Sequence, residues 1–168
     1  MAEALKSRAV DLAVALCPEI VGDLRYETIR SEQLVAIVTE DHPLAGEGEV
    51  ALAALAREPF VMFPRELAPR LYESLLGVCR RAGFEPAIRN ESFHTSWELG
   101  VLADVPAVAL VPESVMVEPR PGLVALALSP PAGRVETAIV WREDADSAAG
   151  AAFREVARRV FAIARVSE

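Results

Sequence analysis

The stretch EPFVMFPRELAPRLYESLLGVCRRAG, residues 58–83, contains the change of pattern that decides the fold. Its apolar run, residues 59–63, has the length and composition of a buried strand. After Pro64-Arg65-Glu66 the apolar positions become Leu67, Leu71, Leu75, Val78 and Cys79, which is helical spacing. Arg80 and Arg81 fall in the last turn and Gly83 is the stop. A strand leading through a short turn into an amphipathic helix is the building unit of an α/β domain.

Upstream, residues 10–16 form a mostly apolar run closed by Cys17-Pro18, which predicts a strand buried on both faces. Residues 24–30 alternate polar and apolar, and residues 34–38 predict a second buried strand. Asp41-His42-Pro43 is a turn, because the residue before proline avoids the helical region. Residues 50–57 are a short helix rich in alanine and leucine. Downstream, Thr95-Ser96-Trp97-Glu98 has the form of a capping box, with Thr95 capping a helix to about Asp104. Strands are expected at 107–111, 123–128 and 135–141. A last helix from about Ser147 carries Phe153, Val156, Ala157, Val160, Phe161 and Ala164 on one stripe. The alternation of patterns predicts mostly parallel sheets. The proline-rich stretches at 119–121 and 130–131 suit a passage between lobes.

The bulk numbers restrict function. A chain of 168 residues holds one ordinary domain or two small lobes, and 52% hydrophobic with 25% charged residues is a folded composition. A net charge of -8, with 17 Lys and Arg spread along the chain, argues against a nucleic-acid surface. The basic cluster from Arg154 to Arg159 is broken by Glu155 and reads as a solvated helix face. No apolar run reaches the ~20 residues of a membrane span, and MAEALKSRAVD is too polar for a signal peptide. Two cysteines, Cys17 and Cys79, make neither a disulfide framework nor a metal set, so a reduced, cytoplasmic protein is expected.

Catalysis would need a nucleophile, a base and an orienting group, or a metal cluster. His42 and His94 are far apart, and His42, in a turn before proline, is expected at the surface. G-x-S-x-G, P-loop, H-E-x-x-H and C-x-x-C patterns are missing, so no enzyme, cofactor or metal is expected. The informative places are strand ends, where helix N-termini present free N–H groups to a ligand. Three such junctions occur: Leu16-Cys17-Pro18, Phe63-Pro64-Arg65-Glu66, and Glu91-Ser92-Phe93-His94-Thr95. The last two set guanidinium, imidazole and hydroxyl groups beside backbone donors, which suits a small organic acid. Each has a plain alternative: Thr95 as an N-cap, Arg65 paired with Glu66 or solvated, and Phe63 and Phe93 as core. Cys17, Cys79, Trp97 and Trp141 are expected to be inert or packing residues.

Five segments in order resemble one family. Residues 4–13 (ALKSRAVDLA) are similar to the "ALxxGxxDLA" helix-to-strand step of the LysR-type effector-binding domain. Residues 32–45, from Glu32 through Leu34-Val35-Ala36-Ile37-Val38 to Asp41-His42-Pro43-Leu44-Ala45, resemble its "EPLVAVLPxDHPLA" segment. Leu52 to Val61, Ala82-Gly83-Phe84-Glu85-Pro86 and Val108 to Pro112 resemble "LxxLxxEPFV", "AGFxP" and "VALVP". The resemblance implies an α/β fold of two Rossmann-like lobes of the type II periplasmic-binding-protein kind. It implies residues 1–31 and 119–168 as a partial first lobe and 32–118 as the second. It implies ligand contacts from Leu16, Cys17, Phe63, Pro64, Arg65, Ser92, Phe93, His94 and Thr95. The implied role is small-molecule sensing in a transcription regulator, with DNA read by a helix-turn-helix domain.

Departures from the pattern matter too. The helix-turn-helix, the linker helix and the opening strand–helix–strand of the first lobe have no counterpart in these residues. The strand at 10–16 should therefore have an unpaired edge, which chains tend to cover by pairing with another copy. A homo-oligomer is expected, and a truncated regulator acting as a dimerisation or interaction module is the alternative function. Arg8 stands where the pattern has glycine, and Val105 disfavours the positive φ of the usual turn before "VALVP".

Overall fold

The computed structural model describes residues 1–91, 102, 105–116, 120–130, 133–145 and 147–163. In chain order the elements are α1 (Ala2–Lys6), β1 (Leu12–Leu16), β2 (Leu24–Thr39), β3 (Glu49–Val50), β4 (Pro59–Met62) and α2 (Pro69–Arg81). There follow β5 (Ala87–Glu91), β6 (Ala109–Pro112), β7 (Leu123–Leu128), β8 (Arg134–Arg142) and α3 (Ala148–Ile163). The chain divides into two compact units, residues 1–31 with 136–168 and residues 32–135. The second division falls after Val135, where the family resemblance places it after residue 118.

Unit one is a sheet with strand order β1, β8, β2 and a helix on each face. Alternation along β8 explains the layers, because successive side chains point to opposite faces. Val140 joins Leu5 of α1, Leu24, Ala13, Ile20 and Val21 on one face. Ile139 and Trp141 join Ile29, Leu12, and Ala157 and Phe161 of α3 on the other. The expectation of a β1 buried on both faces is wrong: β1 is the end strand, half-buried, with Val14 48% exposed. An apolar run reports a preference for burial, not how many neighbours the strand finds. Among the described residues β1 is paired with β8 alone.

Unit two is built around the second half of β2, with β6 antiparallel on one side and β7 antiparallel on the other. Residues 24–30 and 34–38 are one strand rather than two, continuous through Ser31-Glu32-Gln33. β4 pairs parallel with β5, and Val61 and Val108 extend the β4 ladder through N–H bonds of 2.9 and 2.8 Å. Ile37, Val61, Leu102, Ala107, Ala109 and Val111 close the core. The expectation of mostly parallel sheets is corrected by the antiparallel β1–β8, β2–β6 and β2–β7 ladders. Parallel pairing of consecutive strands needs a long crossover, which α2 supplies between β4 and β5.

Two helix boundaries differ from the pattern for local reasons. Arg65–Leu67 is a separate 3-10 turn, and α2 begins at Pro69, whose fixed φ suits the first helical position. Ala68, held extended at φ -151° before that proline, interrupts the apolar periodicity that started at Leu67. The short helix expected at 50–57 is a 3-10 helix, Leu52–Leu55. Helix α1 ends in a Schellman motif, with Ala9 N–H donating to Ala4 O at 3.0 Å and Arg8 N–H to Leu5 O at 3.1 Å. The motif puts Arg8 at φ 60°, where the family pattern has glycine. Among the described non-glycine residues only Arg8 and Cys17 have positive φ, so Val105 avoids that conformation.

Arg8→Gly is therefore expected to stabilise the protein. A left-handed non-glycine residue costs about 1–2 kcal/mol. Arg8 also pairs with Asp144, but both side chains are largely exposed and such pairs contribute about 0–1 kcal/mol. A rise in Tm of about 1–3 °C in a thermal melt is the expected net effect. A lower Tm would show that the ion pair outweighs the backbone strain.

Candidate functional site

The first junction closes β1 in unit one. Leu16 lies opposite Thr137, and Cys17 N–H donates to Glu136 O at 2.7 Å. At Cys17 the backbone turns to φ 41°, so the chain leaves the sheet at once toward Pro18. A left-handed non-glycine residue at a strand end is a place where the surroundings hold strain. The Cys17 thiol is free and half-buried.

The second junction lies in unit two, where β4 leads toward α2. Pro64 is buried, Leu67 N–H donates to Pro64 O at 3.0 Å, and Phe63 meets Tyr72 edge-on with ring centroids 6.0 Å apart. Arg65 pairs with neither Glu66 nor solvent alone; its guanidinium binds the Glu73 carboxylate at 2.8 Å. Glu73 is 3.6 Å from Arg80, and Arg80 donates to Glu85 at 2.5 Å, so alternating charges link the turn before α2, α2 itself and the chain after it. Ala68 offers no side chain to cap α2, which leaves the positive end of the helix dipole uncovered by its own N-cap.

The third junction, Ser92, Phe93, His94 and Thr95, lies outside the described residues, as do Trp97 and the capping box. Of the helix expected from Thr95, Leu102 is described, and it is buried in the core of unit two. Leu16 and Cys17 thus belong to unit one, and Phe63, Pro64 and Arg65 to unit two.

Three polar residues were missed or misplaced by sequence reasoning. His42, expected at the surface, has a side chain only 10% exposed. Its Nδ1 accepts the Leu44 N–H at 3.1 Å, and its Nε2 faces Glu58 at 3.8 Å. The tight turn at Pro43 folds the ring back on its own chain. Glu32 is buried and accepts Ser114 N–H at 3.2 Å, at the 3-10 turn after β6. Arg142 is buried at the end of β8. The signal for Glu32 and Arg142 was a charge inside or directly ending an apolar strand pattern. Cys79 behaves as expected of a core thiol: burial, and then the nearby Glu85 carboxylate, push its pKa up to about 11.

Among the described residues no group of three His, Cys, Asp or Glu side chains could hold a metal ion. No described helix is long and apolar enough to cross a membrane. Residues 1–162 match the LysR substrate binding domain. The chain belongs to that family.

A transcriptional regulator of Raoultella terrigena, BudR, is 32% identical over 140 residues, which is 83% of this chain and 48% of BudR. The chain therefore spans about half the length of that curated relative. The effector binding domain of BenM, solved with its effector benzoate, superposes at a TM-score of 0.83 with 23% identity. That match covers 99% of this chain and 76% of the other. The effector binding domain of QuiR, solved with shikimate, gives a TM-score of 0.80 at 20% identity, covering 95% of this chain and 75% of that one. The fold is thus the α/β fold of LysR effector-binding domains, of the type II periplasmic-binding-protein kind.

Proposed function

We propose that this LysR substrate-binding domain senses a small organic acid on behalf of a transcription regulator. The observation that carries the ligand class is the uncapped N-terminus of α2 after β4, with Arg65 beside it and Phe63 at the same junction. An anion there meets free backbone N–H groups and the positive end of a helix dipole. The ligand-contacting set is Leu16, Cys17, Phe63, Pro64, Arg65, Ser92, Phe93, His94 and Thr95. The role is binding, not catalysis, and it is exercised in the cytoplasm. A ligand that binds one conformation better than another shifts the population toward it, and DNA contact is assigned to a helix-turn-helix domain outside these residues.

A thermal-shift screen of aromatic and aliphatic carboxylates, with benzoate and shikimate included, tests the reading. At a hundredfold excess over Kd a ligand stabilises by about 2.7 kcal/mol, a Tm rise of roughly 5–10 °C. Arg65→Ala should weaken the active acid at least about tenfold while moving the unliganded Tm by about 2 °C or less, since its exposed ion pair contributes little. Silence from every acid at millimolar concentration would overturn the organic-acid class.

A further inference from the structure

The charges at the second junction of unit two form a chain whose links differ in strength. Arg65 Nη2 binds Glu73 Oε1 at 2.8 Å, within hydrogen-bond length. The other oxygen, Oε2, stands 3.6 Å from Arg80 Nη1, an ion-pair distance beyond hydrogen-bond length. Arg80 gives its Nε to Glu85 at 2.5 Å and so turns another corner of the same guanidinium toward Glu73. Glu73 is thus bonded to one arginine and within reach of a second.

The backbone fixes both ends of this chain of charges. Arg65 sits in the 3-10 turn closed by Leu67 N–H on Pro64 O. Glu85 follows the end of α2, where Gly83 N–H donates to Arg80 O at 3.0 Å and Phe84 N–H to Cys79 O at 3.1 Å. Glu73 and Arg80 are seven residues apart on α2, so they share a face about 10.5 Å apart along the axis, a span their long side chains cover. Glu85, through its hydrogen bond and its charge, raises the Arg80 pKa above its ordinary value more than Glu73 does. Arg80 is therefore held by Glu85 first, and its bond to Glu73 is still to be made.

We propose that Glu73 sets the affinity of this junction by exchanging arginines: a ligand carboxylate takes Arg65, and Glu73 passes to Arg80. The proposal rests on the reading of Arg65 as an anion contact and names what regulates that contact. Without Arg80, an anion on Arg65 would leave the Glu73 carboxylate unpaired beside a like charge. With Arg80 in place, a movement of about 0.7 Å turns the 3.6 Å approach into an ordinary charge-assisted bond. Glu73 therefore opposes binding as a competitor, Arg80 assists it by receiving Glu73, and Glu85 opposes it by occupying Arg80. Arg65, Glu73 and Arg80 have side chains 62%, 42% and 51% exposed, so each of these effects is a few-fold change in affinity.

Benzoate affinity, read by thermal shift over a concentration series, tests the exchange. Glu73→Gln should tighten benzoate about three- to fivefold, Arg80→Gln should weaken it about two- to threefold, and Glu85→Gln should tighten it about twofold. Removing charges one at a time would give the same signs by long-range attraction alone, so double variants decide. In the Glu73→Gln background, Arg80→Gln and Glu85→Gln should each lose their effect, because the residue through which they act is gone. A second readout needs no ligand: phenylglyoxal modification of Arg65, followed by peptide mass mapping. Its rate should rise at least about twofold in Glu73→Gln and fall in Arg80→Gln. In Glu73→Gln the rate should be the same with and without Arg80→Gln. Benzoate bound alike by every variant, additive effects in the double variants, or an Arg65 rate indifferent to Glu73→Gln would overturn the exchange and leave the effector reading standing. If no carboxylate binds while the Arg65 rates follow this pattern, the organic-acid reading falls, and the hold of Glu73 on Arg65, balanced by Arg80, stands.

Discussion

Phe60→Ala is expected to destabilise the protein by about 3–5 kcal/mol, a fall in Tm on the order of 10 °C. Phe60 is 1% exposed and stands opposite Ile88 across the β4–β5 ladder. Its ring lies 5.9 Å from that of Phe84, which follows the glycine that ends α2. Gly83 takes φ 93°, and Phe84 N–H donates to Cys79 O at 3.1 Å, so Phe84 is fixed to the end of the helix. Phe60 therefore joins the strand to the returning chain at a point where both are held by backbone bonds. The ladder beside it shifts register between Phe60 and Val61, and Phe60 also bridges to Val108. With strands on both sides, the backbone cannot collapse into the space the ring leaves, which sets the cost near the upper part of the usual range. Phe60→Leu should lose about 1–2 kcal/mol. Denaturant melts of both variants measure the difference, and a loss below about 1 kcal/mol for alanine would refute this account of the core.

The β4–α2 unit was legible in the sequence because its two periods are each long enough to be unambiguous, and residues that stop or start elements flank them. Leu75, Val78 and Cys79 are buried as their spacing requires. What was not legible depended on neighbours far along the chain. The same apolar content describes a central strand and an end strand, and among the described residues β8 alone pairs with β1. Ser31-Glu32-Gln33 interrupts an apolar pattern and so resembles a turn, yet β2 runs through it and buries Glu32. Gly133 was lost within a proline-rich stretch. A Cβ there would stand 2.4 Å from Val78 and 2.8 Å from Leu34, both buried, so glycine is required by close approach rather than by a turn.

The candidate site was legible as a set of strand ends, since ligands in α/β folds gather there. The electrostatic setting of Arg65 was not, because Glu73 lies eight residues away and only the 3-10 turn before α2 brings the two together. In the proposed site a ligand carboxylate would compete with Glu73 for the same guanidinium, a residue no motif points to.

Arg142→Met is expected to destabilise the protein by about 2–5 kcal/mol at neutral pH, although the new side chain has a similar length and greater hydrophobicity. Arg142 is 5% exposed. Its Nη1 donates to Leu5 O at 2.5 Å and Val10 O at 3.2 Å, and its Nε donates to Asp144 Oδ1 at 3.0 Å. One guanidinium thus holds the carbonyl end of α1, the chain entering β1, and the turn after β8. Methionine fills the volume but supplies no donor: Leu5 O keeps only the Arg8 N–H, the part-buried Val10 O loses this donor, and a buried group left unmet costs about 1–3 kcal/mol. The acid limb of stability should change as well. The Arg142 hydrogen bond, followed by the charge of Arg8, holds the Asp144 carboxyl below its ordinary value of 3.8. A carboxyl with a lowered folded-state pKa contributes stability above its unfolded value, and the contribution fades as pH falls through the lower folded value. Removing Arg142 removes the largest cause of that dependence and leaves Arg8, so the variant's stability should fall less steeply below about pH 4 than the wild type's. Arg142→Lys keeps one donor end and should recover part of the loss. Urea melts at pH 7 and pH 3 read both effects. A methionine variant with wild-type stability at pH 7 would show that Arg142 is packed rather than bonded.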